Sequence, residues 1–160
     1  MTGIESPLPE HERTVTGEAL QGALVDLIEL SLIAKQAHWN IIGPRFRSIH
    51  FQLDDVVATA RSYADTVAER AAAIGVPPDG RATTVADTAG MVAPKEGWVQ
   101  DYDAIELMTR CLADAASRMR ARIDLTDKTD LVSQDVLLGL TAKLEKHYWM
   151  FQAEQQNQSL

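Results

Sequence analysis

The stretch GVPPDGRATTVADTAGMVAPKEGWVQ, residues 75–100, divides a chain that otherwise reads as long helices. Val76-Pro-Pro-Asp-Gly80 and Ala93-Pro-Lys-Glu-Gly97 are turn-forming clusters, with room between them for one short helix near Thr84 to Ala89. Antiparallel neighbours in a bundle are usually joined by ~2 to 8 residues, so a connection of this length is expected to cross the bundle from end to end. The helices on either side of it then run parallel.

Outward from the crossover the helical period is plain. Before it, Phe46, Ile49, Leu53, Val56, Val57, Ala60, Ala64, Val67, Ala71 and Ile74 recur at three and four, and Gly75 followed by Pro77-Pro78 supplies the stop. Earlier still, Leu20, Ala23, Leu24, Leu27, Ile28, Ser31 and Ala34 mark a first helix that starts near Thr16 and Glu18 and ends at Gly43-Pro44. Beyond the crossover, Ile105, Met108, Leu112, Ala115, Met119 and Ile123 mark a third from Asp101 or Asp103, and Val136, Leu140, Leu144, Tyr148 and Phe151 a fourth from Thr129-Asp130. No strand is required. The expected fold is all-α, a ferritin-like four-helix bundle over residues 16–153 with a long crossover between helices two and three carrying a short extra helix. Residues 1–15 are expected to be a flexible N-terminal tail and residues 154–160 a short C-terminal tail. A metal-free up-down bundle is the plain competitor.

Composition narrows the function. The 160 residues are 46% hydrophobic and 24% charged, enough apolar side chain for one sizeable core and too much for disorder. The single cysteine, Cys111, can form neither an internal disulfide nor a cysteine-based zinc site. No basic start followed by an apolar run is present, so no export is expected and a cytoplasmic location fits. The most apolar segment, Ala23 to Ala34, is interrupted by Asp26 and Glu29 and is too short for a membrane span. Acidic residues outnumber basic ones 23 to 15, and the net charge of −8 repels phosphate backbones and attracts cations.

Imidazoles and carboxylates are the informative side chains. His50 and Asp54 are four apart on the second helix, as are Asp65 and Glu69, so each pair shares a face. Eleven residues separate Asp54 from Asp65, which is about 16 Å of helix, too far for one metal centre within one chain. Eleven residues is also close to three whole turns, so both pairs lie on nearly the same side. A second copy of the helix packed antiparallel across a two-fold axis would set His50 and Asp54 of one chain against Asp65 and Glu69 of the other. His38, just before the Gly43-Pro44 turn, can return to meet the start of the second helix. Such a mixed nitrogen and oxygen set suits ferrous iron, zinc or manganese.

At this point the chain resembles a known family. His38-Trp39-Asn40, His50 twelve residues after His38, Asp54, Asp65 and Glu69 together look like the ferroxidase signature of the Dps mini-ferritins, the DNA-binding proteins from starved cells. Lys146-His-Tyr-Trp-Met-Phe151 resembles that family's last helix, and the likeness covers roughly residues 16 to 152. The resemblance implies a dodecameric shell that oxidises ferrous iron, preferably with hydrogen peroxide, stores the ferric mineral and so protects against oxidative damage. It implies two ferrous ions per inter-subunit site, with His38, Asp65 and Glu69 holding the tighter iron and His50 and Asp54 helping to form the weaker position. It also implies a radical-quenching role for Trp39 and acidic pores, for which Asp130 and Asp135 are the candidates. Twelve copies would carry about −96 formal charge, a strong attractor for cations.

Two features bear on the alternatives. An intrachain di-iron site is not expected, because neither His38 nor His50 has Glu three residues before it, and haem is not expected either, although Met residues are present. The other reading is a nucleoid-associated structural protein that protects DNA, with iron chemistry secondary. Family members often bind DNA through basic tails, yet residues 1–15 hold three Glu against Arg13 alone and no basic residue lies near the C-terminus. His147 reads as structural, and Arg118, Arg120 and Arg122 as ion-pair partners, since alternate residues on a helix do not share a face.

Overall fold

The computed structural model describes residues 3–156 and shows five helices, α1 Glu10–Asn40, α2 Phe46–Ala73, α3 Ala82–Thr88, α4 Asp101–Thr126 and α5 Leu131–Gln156. Two short strands, β1 Ile41–Ile42 and β2 Val99–Gln100, pair in parallel with Ile41 opposite Val99. The fold is all-α apart from these four residues. That pairing fixes the topology. It joins the end of α1 to the start of α4, and since α2 also starts at that end, α2 and α4 run parallel, as the length of the crossover requires.

The crossover is strung along α1. Gln21 accepts from the amide of Asp79 (2.9 Å) and donates to its carbonyl (2.8 Å), while further up α1 the Glu29 carboxylate accepts the amides of Gly90 and Met91. Buried Val85 and Met91 pin the apolar side of the same segment. The core lies between the four long helices and holds the sequence stripes named above: Leu20, Leu27, Ile49, Leu53, Ile105, Met108, Leu112, Met119, Leu140, Leu144 and Phe151 are all fully enclosed.

Three features depart from the sequence expectation. Helix α1 begins at Glu10, six residues before Thr16, so residues 10–15 are bundle and not tail. Pro9 stands at the N-cap and Glu10 and Glu12 complement the positive end of the helix. The segment ahead of it is also packed: Leu8 lies against the core, and the Ile4 carbonyl sits 2.8 Å from where a Cβ on Gly75 would be, a position with φ +77° that glycine tolerates. At the other end α5 runs through Glu154 to Gln156, and residues 157–160 lie outside the described residues. The strands are the third difference. Two residues carry no alternation to detect, and what holds them is buried Ile41 and Val99.

One buried charge ties the layers. Asp26 on α1, 4% exposed, accepts from Arg118 (2.8 Å) and Arg122 (2.7 Å) on α4, while Arg120 pairs with Glu145 on α5. All three arginines are thus held in ion pairs, although Arg118 and Arg122, four apart, share one face of α4 and meet the same carboxylate. Removing Asp26 takes the carboxylate from Arg122, 16% exposed, while Arg118, 33% exposed, keeps Asp114. Asp26→Ala is therefore expected to cost about 1 to 3 kcal/mol, read as a lower midpoint in denaturant. An unchanged midpoint would show that the pairs contribute nothing net to stability.

Candidate metal centre

The five-residue link between α1 and α2 sets the geometry of the centre. Gly43 takes φ +125°, and a Cβ there would come within 2.9 Å of the Asp101 carboxyl carbon. Asp101 in turn accepts from the Arg45 amide (2.8 Å) and its Nε (3.2 Å). Burial pushes the Asp101 carboxyl upward, and these donors outweigh it, leaving it below the usual carboxylate range. The carboxylate clamps the turn, and the turn returns the chain so that the last residues of α1 face the second turn of α2.

Three of the expected ligands meet there. His38, His50 and Asp54 each offer a ligand atom within 4.8 Å of the others. The two imidazoles stack, with centroids 3.6 Å apart and planes 22° from parallel. Each is fixed by the other's backbone: His38 Nδ1 lies 2.9 Å from the His50 carbonyl, and His50 Nδ1 lies 3.0 Å from the His38 carbonyl. A carbonyl only accepts, so in this arrangement Nδ1 is the donor on both rings, which leaves Nε2 as the nitrogen a metal could use. Backbone-fixed imidazoles of this kind are the usual form of a histidine metal ligand. His38 Nδ1 also lies 3.3 Å from Asp54 Oδ1.

Asp54 has a further partner that the spacing argument did not single out. Lys35, one turn before His38 on α1, donates its ammonium to Asp54 Oδ1. That bond is the main reason the Asp54 carboxyl titrates below its ordinary range, burial opposing it and the two nearby imidazoles adding to it. The signal was present in the sequence, since positions three apart on a helix are neighbours, but a lysine beside candidate ligands counts against a metal and so escapes a search for donors. Phe46 and Phe51 flank the His50 ring at 5.0 and 5.6 Å. Trp39, next to His38, is 64% exposed and free to meet another surface.

The remaining expected residues divide. Asp65 and Glu69 are exposed on α2 and outside the three-residue group, in keeping with the about 16 Å of helix between Asp54 and Asp65. Asp130 corrects the pore expectation. It is the N-cap of α5, buried, with its carboxylate accepting from the Ser133 amide (3.0 Å), the Ser133 hydroxyl and Arg70 (2.7 Å). Burial raises its carboxyl and these donors more than offset that, so it titrates below the usual range as a satisfied cap. Asp135 is exposed, as are Asp124 and Asp127 on the same turn. His147 lies outside the three-residue group, 9% exposed, with Nε2 2.9 Å from the Thr59 hydroxyl.

The fold has relatives. The ferritin-like domain family matches residues 17–159. The Dps of Microbacterium arborescens, solved in a high-iron form, superposes with a TM-score of 0.88 at 35% identity, over 94% of this chain and 97% of that one. The chain belongs to the ferritin-like family, in its Dps branch. The DNA protection during starvation protein of Mycolicibacterium smegmatis is 32% identical over 162 residues, 96% of this chain and 84% of the relative. A protein named fine tangled pili major subunit, from Haemophilus ducreyi, is 34% identical over 140 residues, 88% of this chain and 74% of that protein. As in the Dps fold, the bundle here carries its short extra helix, α3, in the middle crossover. Among the described residues no helix is long and apolar enough to cross a membrane.

Proposed function

We propose that this Dps-family protein is a cytoplasmic ferroxidase and iron store whose reaction site is shared by two subunits. The observation that carries the reading is the backbone-fixed pair His38 and His50 beside Asp54, a ready half-site that lacks the carboxylates needed to hold a second cation. Asp65 and Glu69, on nearly the same side of α2, supply those carboxylates from the neighbouring chain when two α2 helices pack antiparallel. His38, Asp65 and Glu69 hold the tighter ferrous ion, and His50 and Asp54 help hold the weaker one. Twelve subunits close the shell, and the mineral forms inside.

The iron is the substrate. Two ferrous ions each give one electron to one hydrogen peroxide, its O–O bond breaks, and two protons complete two waters. A site that takes both electrons at once avoids the one-electron product, hydroxyl radical. Carboxylate-rich ligation favours the ferric product, and imidazole ligation keeps the ferrous ion bound long enough to react. Trp39, exposed beside His38, stands where a stray oxidant would meet an oxidisable ring. Iron reaches the interior by electrostatic focusing at acidic openings, for which Asp135 remains the candidate and Asp130 does not.

The test is ferrous oxidation followed by absorbance under anaerobic peroxide and, separately, under oxygen. Peroxide is expected to consume two ferrous ions per molecule and to be the faster oxidant, and His50→Ala with Asp54→Ala is expected to lower the rate at least about a hundredfold, as loss of metal-positioning groups does. Equal rates with both oxidants would remove the peroxide preference. A mutant as fast as the parent would remove the site.

The relatives named for DNA protection support a second reading, a nucleoid-associated protein that shields DNA with iron chemistry secondary. DNA binding and the oxidation assay separate the two.

A further inference from the structure

We propose that His147 is a proton-operated latch between α5 and α2, closed while its ring is neutral and opened when acid puts a second proton on it. His147 stands on the buried stripe of α5, three residues after Leu144 and four before Phe151, both fully enclosed. Across from it on α2 is Thr59, whose hydroxyl lies 2.9 Å from His147 Nε2. The other ring nitrogen, Nδ1, is buried with no hydrogen-bond partner. The ring is not among the three residues that converge at the metal centre, so the latch does not depend on the metal chemistry.

A neutral imidazole has a single N–H to place and can leave its other nitrogen as a bare lone pair. The Thr59 hydroxyl meets that need at Nε2. An imidazolium has two N–H groups and a charge, and at Nδ1 it would bury a charged donor with nothing to accept it, which costs far more than a hidden lone pair. Burial therefore holds the His147 ring below the ordinary histidine range. Asp55, exposed one turn before Thr59 on α2, opposes that shift, and Lys146 and Lys143 on α5 add to it. Among the described residues no carboxylate lies within ion-pair distance of the ring, so the attraction of Asp55 does not compensate the buried charge. Because the folded ring binds its proton more weakly than the unfolded chain does, stability is complete above about pH 6.5 and falls as pH drops below it, levelling off once the folded ring also titrates. The contact that fails joins α5 to the helix that carries His50, Asp54, Asp65 and Glu69. Acid thus loosens the wall behind those residues without titrating any of them.

The experiment follows guanidinium unfolding of the metal-free assembled protein from pH 8 to pH 5 at one protein concentration, for the parent and for His147→Gln, whose amide can still meet Thr59 but does not titrate. Carboxylates and the other histidines titrate in both proteins and cancel in the ratio. Relative to the variant, the folding equilibrium constant of the parent is expected to fall by at least about fivefold per chain and at most about thirtyfold, the ceiling at pH 5 for a group whose ordinary value is about 6.5. Asp55→Asn removes the one attraction for the proton and is expected to move the loss toward that ceiling. The same pH dependence in the parent and in His147→Gln overturns the latch. Hydrogen exchange of the parent, corrected for the intrinsic effect of pH, reads the event without any substitution and decides the matter if His147→Gln does not fold. Residues 52–59 of α2 and 143–151 of α5 are expected to lose protection between pH 7.5 and pH 5.5 ahead of α4. Protection lost evenly over all helices, or not lost at all, overturns the proposal.

Discussion

Shells assembled from a His50→Ala, Asp54→Ala chain mixed equally with an Asp65→Ala, Glu69→Ala chain are expected to oxidise ferrous iron, although neither chain does so alone. The reason is the length of α2. Asp54 and Asp65 are about 16 Å apart along the helix, so one chain cannot close both halves on one pair of metals. In an antiparallel pair each site takes one half from each chain. With random mixing, about a quarter of the sites combine two intact halves, so activity should return to about a quarter of the parent's. Shells shown by mass to be mixed, yet with no activity above either homo-oligomer, would contradict a shared site.

The second large effect concerns DNA. Binding to duplex DNA gains most of its affinity from Lys and Arg that displace counterions, and a protein making several phosphate contacts loses ~10³ to 10⁵ in affinity between 50 and 200 mM salt. Here the charge is −8 per chain, Glu5, Glu10 and Glu12 surround Arg13 in the first 15 residues, and Leu8, just before α1, lies against the core. The three clustered arginines are held by Asp26 and Glu145. A gel-shift titration without magnesium at physiological salt is expected to show no retardation of plasmid at micromolar shell. Retardation below that concentration, fading steeply with added salt, would place the nucleoid reading ahead of iron storage.

What could be read from the sequence followed from periodicity. Helices α2, α4 and α5 repeat their apolar residues over many turns, so their cores and most of their ends were legible, and the proline-rich ends of residues 75–100 could only be a crossover. The start of α1 was not, because Thr16 looks like a cap while Pro9 and the acidic first turn begin the helix without any side-chain cap bond. The strands escaped because two paired residues have no pattern.

The centre divides in the same way. His38, His50 and Asp54 converge because a five-residue turn closes two helices, which spacing alone can anticipate. Asp130 was misplaced because a run of acids near a turn suggests a charged surface, whereas Asp130-Leu-Val-Ser133 is also a cap pattern, and the partner on α2, Arg70, is sixty residues away in sequence. Lys35 was passed over because positive charge is not a metal donor. The Asp65 and Glu69 half depends on a second chain, and its placement is an inference from helix length.

The measurement that tests the shared centre most directly is diffraction from crystals of the assembled protein soaked anaerobically in ferrous iron, recorded on both sides of the iron absorption edge. The account predicts anomalous density bounded by His38, His50 and Asp54 of one subunit and by Asp65 and Glu69 of its neighbour, with the stronger peak on the carboxylate side. Iron bound by His38, His50 and Asp54 with no carboxylate of a second chain in reach, or iron found only elsewhere in the shell, would contradict it.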